Sequence, residues 1–249
     1  MRYFIKLSFK GTSYHGWQIQ PNAHTVQEEL EYKLSVLLKE EIQCMGCGRT
    51  DAGVHATEFY VHFDTRTEIL KPTDFIFKIN SFLSKDIAIE RLIPVREDAH
   101  ARFSAIERTY HYFIHFKKNP FKTETSYYKS KKPDINLMNK ACELLYKHSN
   151  YECFSKSKTQ VSNFECSIFA AHFENMEDGL CFKITANRFL RGMVRAVVGT
   201  LLMVGEGKMS IEGFEEVIKR RDRSLAGESV PACGLFLCKI KYPDNILNG

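Results

Sequence analysis

The order of strand-type and helix-type hydrophobic patterns in the N-terminal part of the chain restricts the fold most. Residues 3–10 alternate between apolar and polar side chains, as a half-buried strand does. A capping box from Thr25 to Glu28 then opens a helix with an apolar stripe. Further strand patterns lie at 42–47, 58–64 and 86–95, with a helix pattern at 71–83. The order strand, helix, strand, strand, helix, strand is typical of a split βαβ, ferredoxin-like unit with an antiparallel sheet.

The second part of the chain repeats a similar order of patterns. A strand is predicted at 108–116, a helix at 134–147, and a hairpin at 164–173 and 180–186 that turns at Glu177-Asp178-Gly179. A segment from Asn187 to Arg195 enters a helix that runs to Val204, and a short amphipathic helix follows at 210–221. We therefore expect an α+β protein of two related halves, 1–105 and 106–249, that meet at a cleft.

The charge balance permits a polyanionic partner without requiring one. The chain has 35 Lys and Arg against 30 Asp and Glu, a net charge of +5. Basic clusters at 117–118, 129–132 and 219–221 are either solvated faces or RNA contacts. Of the eight cysteines only Cys44 and Cys47 have the spacing of half a metal site. With no signal-peptide pattern and no bilayer-length apolar run, we expect a cytoplasmic protein with reduced thiols and no membrane contact.

The stretch from Gly48 to Ala56 is the strongest candidate for chemistry. Two glycines bracket Asp51, so the backbone can turn sharply and a ligand can approach it closely. Arg49 would help to keep the carboxylate ionised if the two side chains meet, and His55 is a residue type that titrates near neutral pH. The simpler alternative is a connecting loop in which Asp51 only hydrogen-bonds its own backbone.

The run from Gly48 to His55 resembles, at all eight positions, the active-site motif of TruA-type tRNA pseudouridine synthases. The resemblance covers nearly the whole chain, with matching segments at 16–18, 100–105, 154–156 and 231–237. One departure is Ala99, where the family commonly has Phe. The resemblance implies that Asp51 is the catalytic carboxylate.

Three further residues stand in these motifs. Trp17 either contacts bases or anchors its loop to the core. Arg102, on its own a surface cation, is implied to lie in the RNA-binding cleft. Tyr110 has the spacing of ordinary sheet packing. As the first tyrosine of the family's Arg-x-Tyr-x-Tyr motif, it is implied to stack on the uracil and to relay a proton.

The segment around Asn187 to Arg195 is the second informative stretch. Arg188, Arg191 and Arg195 are spaced three and four residues apart, so we predict that they share one helix face, either solvated or binding phosphates. The resemblance implies that Arg195 pairs with the catalytic aspartate. Arg191-Gly192 replaces the histidines that are usual in the family. Leu235 is either a core residue or, by resemblance, a contact of the target base.

The resemblance implies an isomerase that converts uridine to pseudouridine at positions 38, 39 and 40 of the tRNA anticodon stem-loop. The resemblance also implies a homodimer that needs no cofactor or metal, and no nucleotide-binding fingerprint is present in the sequence. The implied fold has two ferredoxin-like (RRM-like) halves with antiparallel sheets joined into one central sheet, helices on one side, and the cleft between the halves. A target base that is flipped out of its stack would need contacts such as those implied for Tyr110 and Leu235 to offset the cost of unstacking.

Three alternatives stay open at the level of sequence. A non-catalytic RNA-binding protein would keep the basic faces but would not need Asp51. A carboxylate-dependent hydrolase would need a second acid opposite the first, and the motif segments contain none. A paralogue of the same family would act on another RNA position.

Overall fold

The computed structural model describes residues 1–156 and 162–247. Their contacts divide the chain into two compact units, one formed by Met1–Arg108 together with the chain from Leu237 onward, the other by Thr109–Phe236. Both mix strands and helices, and the strand pairs are mostly antiparallel. The mixed α/β character expected from the sequence is therefore confirmed. The proposed boundary between residues 105 and 106 stays a prediction.

The first unit has the predicted order of elements. In chain order these are β1, Arg2–Phe9; α1, Val26–Leu38; β2, Cys44–Gly46; β3, His55–Asp64; α2, Pro72–Phe82; and β4, Ile87–Val95. The strands lie in the order β4-β1-β3, with β2 paired to β3. In the antiparallel register of this sheet Phe4 lies opposite both His62 and Ile93. The strand and helix patterns of this region are confirmed to within a few residues.

The second unit also contains both strands and helices. Its elements are β5, Glu107–His115; β6, Tyr127–Tyr128; α3, Ile135–Cys142; β7, Ile168–Met176; β8, Gly179–Ala186; α4, Met193–Gly205; and α5, Ile211–Arg220. The first two residues of β5 belong to the first unit. The strands lie in the order β5-β8-β7, and β6 pairs in parallel with β5. Nearly all of α4 is buried, as expected for a helix that is apolar all round. After α5 follow β9, Leu235–Lys241, and α6, Asp244–Leu247, which belong to the first unit from Leu237 onward.

An asparagine on a helix ties that helix to a strand in each unit. Asn80 of α2 donates from Nδ2 to the carbonyl of Ile89 at 2.8 Å and accepts from its amide at 2.7 Å. Asn139 of α3 makes the same pair of bonds with Phe173, at 3.0 and 2.7 Å. Because both backbone groups of each strand residue are satisfied, the helices can cover the sheet without leaving buried polar groups unpaired.

The predicted N-cap of α1 is present, because the Thr25 side chain accepts from the amide of Glu28 at 3.3 Å. Helix α5 is capped in the same way by Ser210, whose side chain accepts from the amide of Gly213 at 3.0 Å. The helix predicted at 134–147 is α-helical only as far as Cys142 and continues as a 3₁₀ turn. These local signals fix where α1 and α5 begin, and so which residues precede them.

Candidate active site

Asp51 lies in the loop that joins β2 to β3 in the first unit. The amide of Val54 donates to the carbonyl of Asp51 at 3.1 Å and closes a tight turn. Gly53 within this turn has a φ of +78°, a left-handed conformation that favours glycine. Asp51 is half-buried, and Arg49 two residues before it is exposed. The loop thus holds the carboxylate-bearing residue on a short, turned backbone, as the two bracketing glycines predict.

A second loop, residues 14–17, packs against the backbone of the Asp51 loop. Gly16 has a φ of +91°, and a Cβ added there would lie 2.3 Å from the carbonyl oxygen of Thr50. Trp17 donates its amide to that same carbonyl at 3.4 Å, and Gly53 donates to the carbonyl of Tyr14 at 3.2 Å. The two loops are therefore in backbone contact, with no room for a side chain between them.

Two buried aromatic side chains anchor these loops to the sheet. Trp17 is only 3% exposed, and its ring lies 4.5 Å from that of Phe59. His55 is buried, and its Nδ1 accepts from the amide of Gly11 at 3.0 Å. Of the two roles that the sequence left open for Trp17, the structure favours the core anchor. His55 serves the same purpose, because its bond to Gly11 links β3 to the 3₁₀ turn that follows β1.

Arg108 connects the Asp51 loop to the segment that carries Arg102. Its Nη2 donates to the carbonyl of Cys47 at 3.3 Å and to that of Arg102 at 2.6 Å, while Nη1 donates to the carbonyl of Ala105 at 3.0 Å. The predicted site residue Arg102 is itself exposed. Arg108 is a residue that sequence reasoning passed over, although it begins the Arg-x-Tyr-x-Tyr motif. One guanidinium thus holds three carbonyls from two segments in a fixed relation.

The second unit carries Tyr110 on β5. Its ring is half-buried and meets Phe189 edge to face, at 5.1 Å and 89°. Phe189 was not among the predicted site residues. Tyr112, two residues further along β5, is fully buried; its hydroxyl donates to the carbonyl of Pro231 at 2.8 Å, and burial raises its pKa well above the usual range. Of the two tyrosines of this motif, only Tyr110 keeps part of its ring accessible.

The predicted helix face of three arginines is not present. Helix α4 begins at Met193, after Gly192 with a φ of +73°, so Arg188 and Arg191 lie in the non-helical segment before it. Arg195 alone is helical, and its Nε donates to the carbonyl of Val230 at 2.7 Å. The prediction was wrong because helical spacing was extended across a residue whose left-handed backbone ends the pattern. Arg191 is exposed, whereas Arg188 and Arg195 are half-buried.

Leu235 is the first residue of β9 and is 5% exposed. This burial agrees with the core alternative and leaves its contact with a base as a prediction. In the described ranges 1–156 and 162–247, no three His, Cys, Asp or Glu side chains form a group that could hold a metal ion. No helix in that part of the chain is long and apolar enough to span a membrane.

Comparison with known proteins identifies the chain's relatives. Residues 7–104 and 141–243 match a family described as tRNA pseudouridine synthase. A tRNA pseudouridine synthase A of Parabacteroides distasonis is 45% identical, over 98% of this chain and 97% of the relative. Similar proteins of the same name occur in Bacteroides thetaiotaomicron, 44% identical over 99% and 93% of the two chains, and in Bacillus subtilis, 36% identical over 97% and 99%.

Proposed function

Because the chain belongs to the tRNA pseudouridine synthase family, and is therefore an isomerase that converts uridine to pseudouridine in tRNA, we propose that Asp51 is the residue on which the reaction depends. The observation that carries this proposal is the bracing of the Asp51 backbone. Its turn is closed by Val54, and its preceding peptide is held against Gly16 and Trp17. A carboxylate on so rigid a support is pre-organised for one direction of approach.

The chemistry requires one carboxylate and no cofactor. The N1–C1′ bond of the uridine breaks, the uracil turns, and a new bond forms from C5 to C1′; C5 then loses its proton and N1 gains one, so that nothing is oxidised or consumed. The Asp51 carboxylate either attacks C1′ or removes a proton from the ribose. Both routes need it ionised at neutral pH, and we assign to Arg195 the task of keeping it so.

The remaining residues are proposed to bind and flip the substrate. Extruding a base from its stack costs a few kcal/mol, which contacts in the pocket must offset. We assign Tyr110 to stacking on the uracil and to proton relay, since its ring is partly accessible on a rigid strand. Leu235 is assigned to packing beneath the base. Phosphate contacts are assigned to four arginines, namely Arg49, Arg102, Arg188 and Arg191.

We further propose that the target uridines are at positions 38, 39 and 40 of the anticodon stem-loop, and that the enzyme acts in the cytoplasm as a homodimer. For the fold we propose that both units are ferredoxin-like. The order β4-β1-β3 with β2 on the far edge of β3 supports this for the first unit, since it follows the split βαβ pattern. An action on another RNA position is the alternative proposal within the same family.

The test is release of tritium from C5-labelled uridine in anticodon stem-loop RNA. We expect Asp51→Asn to lower the single-turnover rate at least about 1,000-fold, because it removes the reacting carboxylate but keeps its shape. Asp74→Asn, an exposed aspartate in the first turn of α2, is the matched control and should keep the parent rate. RNAs with a single labelled uridine at position 38, 39 or 40 test the proposed positions.

Equal release by the parent enzyme and Asp51→Asn would remove Asp51 from the mechanism. Release from full-length tRNA but from none of the three stem-loops would favour the alternative RNA position. Free uracil among the products would point instead to hydrolysis.

A further inference from the structure

Phe103 combines high exposure with a fixed position. Its side chain is 75% exposed, yet its ring centroid lies 4.4 Å from that of His100, with an angle of 34° between the planes. The guanidinium of Arg102 lies 5.4 Å from the same ring centroid. A large apolar side chain that is held in place and left open to solvent marks a contact surface rather than a core element.

The backbone around Phe103 is closed into a tight turn. Nδ1 of His100 accepts from the amides of Arg102 and Phe103, at 3.1 and 3.2 Å. Ser104 closes the turn from both sides, since its amide donates to the carbonyl of His100 at 2.9 Å and its hydroxyl accepts from the amide of His100 at 3.0 Å. The ring is thus presented by a rigid segment, and ordering it on binding would cost little entropy.

The same turn is fixed relative to the catalytic loop. Nη2 of Arg108 donates both to the carbonyl of Arg102 and to that of Cys47. Cys47 is four residues before Asp51, so at most about 14 Å of extended chain separates this shared anchor from the proposed catalytic residue. A nucleotide close to the target uridine is therefore within reach of the Phe103 ring.

Phe77 shows what an exposed phenylalanine looks like without these features. It is 77% exposed on α2 of the same unit, and no ring or cation of the described residues lies against it. Phe103 differs from Phe77 because Arg102 and His100 lie against its ring. An aromatic face beside a guanidinium is the combination that stacks bases and attracts the adjoining phosphate.

We propose that Phe103 is a substrate-binding residue that stacks on an unpaired base next to the target uridine. This inference rests on the proposed function, because it takes RNA as the ligand. Arg102 holds the phosphate of the same nucleotide, and Arg108 acts as a positioning residue that keeps this pair in register with the Asp51 loop. The chemical class recognised is a single-stranded nucleotide, and stacking makes the contact tolerant of base identity.

The experiment uses stem-loop RNAs with 2-aminopurine placed singly on either side of the target uridine, whose fluorescence falls on stacking. With the parent enzyme we expect quenching at one of these positions. Phe103→Leu should abolish that quenching and weaken RNA binding about tenfold or more, while the single-turnover rate at saturating RNA changes less than about threefold. Phe103→Tyr should restore both binding and quenching, and Phe77→Leu is the matched control that should leave both unchanged.

The outcomes separate this inference from the proposed function. Quenching is read in the Asp51→Asn background as well, so it tests the stacking of Phe103 whether or not Asp51 is catalytic. Unchanged quenching and affinity in Phe103→Leu would overturn the inference. Loss of the dimer in light scattering, with quenching retained, would identify Phe103 as a subunit contact and would overturn it too.

Discussion

Gly16 and Gly192 adopt the same left-handed backbone, with φ of +91° and +73°, but their surroundings differ. A Cβ at Gly16 would lie 2.3 Å from the carbonyl oxygen of Thr50 and 3.1 Å from the carbonyl carbon of Asp51. At Gly192 the nearest neighbour would be the Cβ of Lys156, at an ordinary 3.8 Å. Gly16 is thus required by space and by conformation, Gly192 by conformation alone.

This contrast separates two ways of holding a functional segment. The Asp51 loop is held against a second loop by backbone hydrogen bonds and by the close approach of Gly16 to Thr50, so a side chain at Gly16 would force one of the two backbones to move. The segment that carries Arg188 and Arg191 is bonded at its start, where the amide of Asn187 donates to the carbonyl of Ser167 at 3.1 Å, and near its end, where the amide of Lys156 donates to the carbonyl of Arg191 at 2.9 Å. A reacting carboxylate, as proposed for Asp51, needs the first kind of support, whereas arginines that are proposed to bind phosphates tolerate the second.

The largest effect is expected from Gly16→Ala. The methyl group must displace the backbone of Thr50 or of its own loop, and the left-handed φ adds strain, so the free energy of unfolding should fall by about 3 kcal/mol or more. Moving Asp51 by about 1 Å should also lower the single-turnover rate about 100-fold. Urea unfolding and tritium release measure the two effects. A Gly16→Ala enzyme with the parent's rate would show that the bracing of this loop is not needed for catalysis.

A smaller loss of stability is expected at low pH, because two histidine side chains in the first unit accept hydrogen bonds from backbone amides and must stay neutral to do so. Nδ1 of His62 accepts from the amide of Ala101 at 3.1 Å, and burial, followed by the nearby His100 and Arg2, lowers the pKa of His62 to about 4. Burial also lowers the pKa of His100. The contacts just named in the segment before α4 use backbone carbonyls instead, which do not titrate.

The direction of the change in stability with pH follows from the unfolded chain, in which a histidine has its ordinary pKa of 6.5. Above that pH His62 is neutral in both states and its full contribution to stability is present. As the pH falls from 6.5 to 4 only the unfolded state gains the proton, so the free energy of unfolding should drop by about 2–3 kcal/mol. Urea unfolding between pH 7.5 and 4.5 should show a flatter dependence for His62→Asn, and equal slopes would contradict this assignment.

The sequence predicted the Asp51 loop well because its signals are local. Two glycines, a motif of eight positions and the flanking strand patterns all lie within about twenty residues. The start of α4 was misplaced for the same reason, since the spacing of Arg188, Arg191 and Arg195 is locally helical and only the backbone angle of Gly192 contradicts it. Glycine is common at turns and is tolerated inside helices, so its presence alone does not mark a helix start.

Contacts between distant segments could not be read from the sequence at all. Arg108 and Cys47 are 61 residues apart, and their hydrogen bond follows from the way the chain folds back rather than from any local pattern. The same holds for the backbone contact between Gly16 and Thr50. Residues that position a site are therefore harder to predict than residues that belong to its motif, because their role depends on tertiary structure.

The smallest effect is expected from Gly192→Ala, which isolates the conformational cost. Since the added Cβ would make only an ordinary contact, 3.8 Å from the Cβ of Lys156, the left-handed backbone alone is penalised, and the free energy of unfolding should fall by about 1–2 kcal/mol. Gly192→Asn should cost less, because asparagine adopts this conformation more readily. We expect single-turnover rates within about threefold of the parent for both. If Gly192→Ala instead matched Gly16→Ala in lost activity, the segment before α4 would need the same rigidity as the Asp51 loop, and the distinction between the two supports would fail.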